Sequence, residues 1–314
     1  PPVTDSERKR LFERARREVL KKRTAIHRDT AAEIVRLLKL AQARIRETLA
    51  NAPSDYQQWR LPQLQAQIAQ RLAEFERVAG RAGTAGAAQA WAAGEQLVAA
   101  PLTAAGLGGA GVATGIDPRT LTAMQQFMTD RIKGLATAAI DKINTELGLV
   151  ILGVQSPSEA IGKVEKILGK DSRQRAITIV RTEVGRAFSA ATQQRLEAAQ
   201  AQVPGLKKLW RRSGKVHSRP QHDAIDGQVR EIDEAFEVID PRTGAVIEIY
   251  YPRDPKAPLA ETINCGRESL PFMESWESFR RTVPFTEREL PASELARNPV
   301  KAAFAARARR ADRE

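Results

Sequence analysis

"QVPGLKKLWRRSGKVHSRPQHDAIDGQV", residues 202–229, is where the chain changes its period. Upstream of Pro204-Gly205, apolar residues recur at spacings of three and four, the pattern of helix faces. Downstream they come in short bursts bounded by Gly, Pro and Asp, the pattern of strands and turns. An α+β chain is therefore expected. A mostly helical N-terminal two-thirds, with long helices and a helical hairpin, precedes a small antiparallel β-rich module and a basic C-terminal arm.

On the helical side, residues 171–201 read as one long helix, capped by Asp171 and apolar along Ile177, Val180, Val184 and Phe188. "SPSEA", 156–160, opens a short helix that Gly169 is expected to end. "DPRT", 117–120, opens another, with Asp117 as N-cap and Pro118 in the first turn; its stripe runs through Leu121, Met124, Met128, Ile132, Leu135 and Ile143 to a stop at Gly148. These make a helical domain over 117–205. Residues 5–50 read as a basic helix with Ile34, Leu38, Ala41, Ile45 and Leu49 on one face. After a break at "NAPSD", 51–55, a second helix starts near Pro62 and carries Leu64, Ile68, Leu72 and Phe75, so 1–80 reads as an antiparallel hairpin. Residues 81–116 are rich in Ala and Gly and read as a linker. From Gln96 to Ile116 there is no charge, a length that reaches across a bilayer; Pro101, five glycines and small side chains favour the linker, with a membrane-active DNA-ejection segment as the alternative.

On the other side, strands are expected at 207–213, 228–232, 236–239 and 245–251, the last two joined by the turn "DPRTG" at 240–244. This is a β-rich module over 206–275, followed by the arm 276–314.

The chain has 314 residues, 42% hydrophobic and 28% charged, enough for about two domains with real cores and unlike a disordered or membrane-embedded composition. Its one cysteine excludes an internal disulfide. The charged first fifty residues show no apolar core of a signal peptide. Of the net charge of +12, residues 1–50 hold +7 and residues 297–314 hold +4, leaving the middle near neutral. Basic ends suit a polyanion or an acidic protein surface, and the residues expected to face it are Arg8, Lys9, Arg10, Arg14, Arg16, Arg17, Lys21, Lys22, Arg23, Arg307, Arg309 and Arg310. No base-reading motif is visible, so no sequence preference is expected.

His217, His222, Asp226 and Cys265 are all metal-ligand types, yet a lone cysteine and two histidines five apart match no zinc spacing. A metal-dependent nuclease or other hydrolase built on His217, His222 and Asn264 is the enzymatic alternative. The favoured reading is structural: Asp226-Gly227 makes a tight turn, and Arg219, His222 and Asn264 tie loop carbonyls that lack ladder partners, with no cofactor and no catalytic residue.

The order of motifs resembles the phage Mu protein F-like head morphogenesis family over about 150–275. Arg181-Thr182-Glu183 sits on a helix, Trp210 on a strand, Arg219, His222, Asp226 and Gly227 follow, and Asn264-Cys265 comes after prolines. The chain departs from relatives that end in Asn-Cys-Arg-Cys, since it reads Asn264-Cys265-Gly266-Arg267, which removes thiols a metal would use. The resemblance implies a non-enzymatic minor head protein of a tailed phage, assembled in the bacterial cytoplasm and resident in the virion head near the portal in several copies. Its implied partners are portal or major capsid protein and packaged double-stranded DNA, with a role in DNA retention or delivery. Arg181 and Glu183 are expected to face apart, one pairing within the helical part and one reaching toward the β module.

Overall fold

The computed structural model describes residues 4–52, 61–108, 118–212 and 219–276. Asp117, His217, Arg307, Arg309 and Arg310, the run 109–116 and nearly all of the C-terminal arm lie outside the described residues.

The fold is α+β, with long helices first and small antiparallel sheets after. Helices α1 (Asp5–Ala50), α2 (Leu61–Ala104), α3 (Pro118–Ile151), α4 (Pro157–Lys166) and α5 (Ser172–Gln200) lead to strand β1 (Leu206–Arg211). Then follow α6 (Pro220–Ala224), β2 (Val229–Arg230), β3 (Phe236–Ile239), β4 (Val246–Ile249), α7 (Leu259–Thr262), β5 (Glu268–Met273) and a 3-10 turn, Glu274–Trp276.

Local chemistry accounts for most boundaries. Thr4 Oγ1 accepts the Glu7 N–H at 3.3 Å and starts α1. Ser156 and Glu159 close a reciprocal capping box on α4. Two helix stops differ from the sequence reading. Gly148 lies inside α3, which runs on to Ile151; the left-handed stop falls on Gly153 (φ +70°), whose N–H and that of Val154 bond back to Val150 and Leu149. Gly169 does not end α4, and Asp171 does not cap α5. Both sit in a π-helical turn, Ile167–Asp171, that passes α4 into α5 without a break.

The larger correction concerns 81–116. Its first part is no linker: α2 continues to Ala104, where Gly106 (φ +67°) terminates it with Leu107 N–H bonded to Leu102 O. The small residues are packing devices. Any Cβ on Gly86 would overlap Thr30, and one on Gly83 would lie 2.7 Å from Met128 Cγ. Gly94 meets the Phe188 carbonyl of α5 just as closely. Ala and Gly lower the hydropathy signal while allowing backbones to approach. No helix among the described residues is long and apolar enough to cross a membrane.

The chain divides into two compact units that do not follow chain order. One comprises Ala25–Gln89 and Leu121–Val184, is helical with short turns and no strand among the described residues, and buries Ile45, Leu49, Leu64, Ile68, Ile143 and Leu147 with Val164 and Leu168. Arg44 and Glu74, 2.8 Å apart, pair α1 with α2 there. The other comprises Pro1–Thr24, Ala90–Thr120 and Gly185–Glu314 and holds every strand among the described residues. The linear division into 1–80, 81–116, 117–205, 206–275 and 276–314 is replaced by one in which α1, α2 and α5 each supply both units.

In the strand-bearing unit, β1 is central in the order β2-β1-β5, and β3-β4 form a separate hairpin, all antiparallel. β5 falls in "NCGRESLPF", where the sequence reading placed no strand. Pro271 is tolerated because β5 is an edge strand. One apolar cluster joins Phe12, Val98, Leu102, Leu196, Leu206, Met273 and Trp276; another joins Trp210, Phe236, Val238, Ile249 and Ala257.

Gly94→Ala is expected to destabilise the protein by about 1–3 kcal/mol, because the neighbour is backbone and cannot swing aside. Gly134→Ala, inside α3 with nothing within 4 Å of the added methyl, is expected to stabilise by about 0.5–1 kcal/mol. Urea unfolding of the two variants measures both.

Candidate functional site: a sealed polar knot

β1 sets the frame. Trp210 is wholly buried, donates its indole N–H to His222 O at 3.0 Å, and meets the His222 and Phe236 rings edge-on. The Asp226-Gly227 turn is sewn to the same strand. Gly227 N–H donates to Trp210 O, Trp210 N–H to Gln228 O, and the Arg212 N–H to Asp226 Oδ1 at 2.7 Å. Gly227 stands at φ +90°, a left-handed position that a side chain would strain. Next to Trp210, Lys208 is also fully buried; its ammonium donates to Tyr250 O at 2.9 Å and lies over the Phe236 ring, and burial lowers its pKa to about 8.

His222 is the hub. Its Nε2 lies 2.5 Å from Glu261 Oε2, and its Nδ1 lies 3.8 Å from Cys265 Sγ. Proline at the start of α6 sets the helical turn that carries His222, and α7 carries Glu261. Asn264, at φ +54°, turns the chain so that Cys265 faces inward; asparagine tolerates that conformation.

Around this trio lie buried guanidiniums. Arg253 is 1% exposed and donates to Cys265 O at 2.5 Å, Ser189 Oγ at 2.8 Å and Glu268 Oε1 at 3.0 Å. Its own carbonyl accepts from Arg186 Nε. Its φ of +69° is a strained value for a bulky residue, held by these bonds. A Cβ at position 185 would lie 2.8 Å from Arg253 Nε, so Gly185 makes the space. Glu268 is shared with Arg23 of α1. Arg267 donates to Asp223 Oδ1 at 2.9 Å and Arg219 O at 2.7 Å, while Arg219 donates to Ile263 O at 2.8 Å.

The charges set one another. Burial pushes the Cys265 thiol up, but the His222 hydrogen bond and the charges of His222, Arg253 and Arg267 outweigh it and leave the thiol at about 6. Burial brings Arg253 down to about 9, against the attraction of Cys265 and with the repulsion of Arg23, Arg186 and Arg267. The His222 hydrogen bond holds Glu261 below the usual carboxylate range. The neighbouring cations therefore favour the thiolate form of Cys265, which stands with the Asp223, Glu261 and Glu268 carboxyl groups among the clustered arginines. Thiol, imidazole and carboxylate stand in the order of a cysteine nucleophile's activating chain. Cys265 is 2% exposed and His222 1%, so both groups are buried. Among the described residues no three His, Cys, Asp or Glu side chains converge as a metal shell.

The knot gathers Trp210, Arg219, His222, Asp226, Gly227, Asn264 and Cys265 in one module. It does not gather Arg181-Thr182-Glu183. Thr182 bonds to Thr178 O, Glu183 is buried with Arg131 Nε at 3.9 Å, and Arg181 is exposed on α5. The reach from α5 toward the β module comes from Arg186 and Ser189 instead. Reading the sequence also missed Asp223, Arg253, Glu261, Arg267 and Glu268; Arg253 lies within "YPRDP", where nothing marks a charge as buried.

The basic face of α1 divides. Lys9, Arg16 and Arg23, seven apart, turn inward: Lys9 Nζ donates to Trp276 O at 3.1 Å, Arg16 to Pro271 O at 3.3 Å, and Arg23 pairs with Glu268 beneath the Phe188 ring. These three do not face a polyanion, because their heads are spent on the C-terminal strand. Arg10, Arg14, Arg17, Lys21 and Lys22 are exposed, and Arg8 is half-buried.

The knot is buried on an α+β scaffold and densely hydrogen-bonded, while Arg253 Nε, Arg267 Nε and Glu268 Oε2 find no hydrogen-bond partner among the described residues. Residues 141–253, about a third of the chain, match the family model described as phage Mu protein F like protein. The family points to phage head morphogenesis. The chain is 38% identical over 106 residues, 33% of its length and 32% of the relative's, to the uncharacterized protein YqbB of Bacillus subtilis (strain 168). It is 36% identical over 67 residues, 21% of its length and 14% of the relative's, to the NAD(+)–arginine ADP-ribosyltransferase EFV of Enterococcus faecalis (strain ATCC 700802 / V583). The match thus spans a third or less of each relative. No solved structure matches.

Two outcomes test the knot. Arg253→Met is expected to cost about 3–5 kcal/mol in urea unfolding, because Glu268 and Cys265 are left as under-compensated buried anions. A depressed thiol pKa stabilises the fold fully above its unfolded value of about 9 and loses that contribution as pH falls through about 6. Wild-type stability should therefore climb from pH 6 to 9, and Cys265→Ala should flatten that climb.

Proposed function

We propose that this chain is a structural, non-enzymatic minor head protein of a tailed phage or prophage, working at the portal vertex. The β-bearing module docks on portal or capsid protein, and the outward cations of α1 contact packaged double-stranded DNA without sequence preference. In this role the protein contributes to head assembly and to DNA retention or delivery, in several copies per head. The reading rests above all on the phage Mu protein F-like match over 141–253, a stretch that holds His222 and Arg253 of the sealed knot. A closed Cys265–His222–Glu261 relay supports bracing over turnover. Arg14 and Lys22 support the DNA contact, since both are exposed and neither stands within salt-bridge distance of an acidic group among the described residues.

DNA retention at rising salt tests this division of α1. Replacing Arg10, Arg14, Arg17 and Lys22 together by Ala should weaken binding and lower the slope of log K against log salt by about 1 for each phosphate that is no longer neutralised, with the melting temperature little changed. Replacing Lys9 and Arg16 should do the reverse, lowering the melting temperature first. Equal retention by wild type and the outer variant at every salt concentration would remove DNA from the proposal.

A further inference from the structure

We infer that the outer face of the β3–β4 hairpin is the surface by which the module docks on a cationic, apolar-centred protein surface of the head; this names the interface that the proposed function leaves open and rests on that reading. The register sorts the hairpin into two faces. Phe236 opposite Ile249 and Val238 opposite Ile247 face the Trp210 core. On the other face Ile239 lies opposite Val246, and the two are 60% and 59% exposed. Neither contributes to the core, so two β-branched side chains are held outward at a cross-strand pair where a soluble hairpin ordinarily carries polar residues.

Charge selects the partner. On the outer face Glu237 stands directly opposite Glu248, an arrangement of like charges that disfavours the hairpin by itself. Arg230, 3.4 Å from Glu237, offsets one of them; Glu248 is exposed and makes no ion pair among the described residues. Two copies meeting face to face across a two-fold axis would crowd carboxylates together, and nucleic acid would be repelled. A protein surface with an apolar recess flanked by Lys or Arg relieves the Glu237–Glu248 repulsion and covers Ile239 and Val246 at once.

The hairpin is also rigid at its tip, which lowers the ordering cost of binding. Asp240 Oδ1 accepts the Arg242 N–H at 2.8 Å, Asp240 O accepts the Gly244 N–H, Asp240 N–H donates to Ala245 O, and Gly244 takes the left-handed φ of +72° that closes the turn.

The test uses the full chain in a host producing the phage that encodes it, with copies per head counted by quantitative mass spectrometry. Ile239→Ser/Val246→Ser, and separately Glu237→Lys/Glu248→Lys, should each lower incorporation about tenfold or more, the loss typical of truncated interface anchors. The circular dichroism melting curve of each purified variant should match wild type. A photo-crosslinking p-benzoylphenylalanine at position 246 should join the chain to a Lys- or Arg-bearing peptide of another head protein. Unchanged incorporation of both folded double variants overturns the hairpin as the docking face while leaving the proposed function standing. A crosslink to a second copy of the chain, or to DNA, overturns the partner chemistry. Wild-type chain absent from heads overturns both this inference and the function it rests on.

Discussion

A guanidinium removed from water costs several kcal/mol unless its hydrogen bonds and charge are met inside the protein, and Arg253 is such a group. Meeting that demand recruits the rest of the strand-bearing unit. Ser189 arrives from α5, the Cys265 carbonyl from the segment after α7, and Glu268 from β5. Glu268 in turn draws in Arg23 from α1. The thiolate of Cys265 completes the balance and is itself oriented by His222 and Glu261. A single buried charge thereby ties two long helices to a sheet of three strands.

The same logic explains α1. An edge strand offers unpaired carbonyls that invite foreign strands, and β5 is such an edge. Arg16 takes the Pro271 carbonyl, Lys9 takes the Trp276 carbonyl just beyond, and Arg23 takes Glu268 at the start of the strand. Their seven-residue spacing returns each to one helix face every two turns. A third of the nine cations that make this helix look like a nucleic-acid arm, Lys9, Arg16 and Arg23, are structural stitching.

A thiol, an imidazole and a carboxylate in sequence would ordinarily suggest a nucleophile. Here the surrounding packing turns the same electrostatics into cohesion, because a thiolate that nothing can reach contributes its charge and not its reactivity. The accessible chemistry of the module then lies elsewhere, on the two outward faces: cations along α1, and an acidic, apolar pair of strands at β3–β4.

Local signals were legible wherever a residue's own geometry decides. The helical periods, the capping Ser156, the Asp-Gly turn, the 236–249 hairpin and the change of period at Pro204-Gly205 were all readable, and with them the α+β class. The 81–104 helix was not, because Ala and Gly carry little hydropathy contrast and reveal their role only when Thr30, Met128 and Phe188 are brought against them. Nor was β5 readable, since its proline is acceptable only at an edge and only pairing with β1 makes that edge. Arg253, Glu268 and the inward trio Lys9, Arg16 and Arg23 look like any surface charges in one dimension. The sequence by itself determined the kinds of element and their order; the tertiary structure alone decided which charges are buried, because burial is a property of neighbours that lie up to 267 residues apart along the chain.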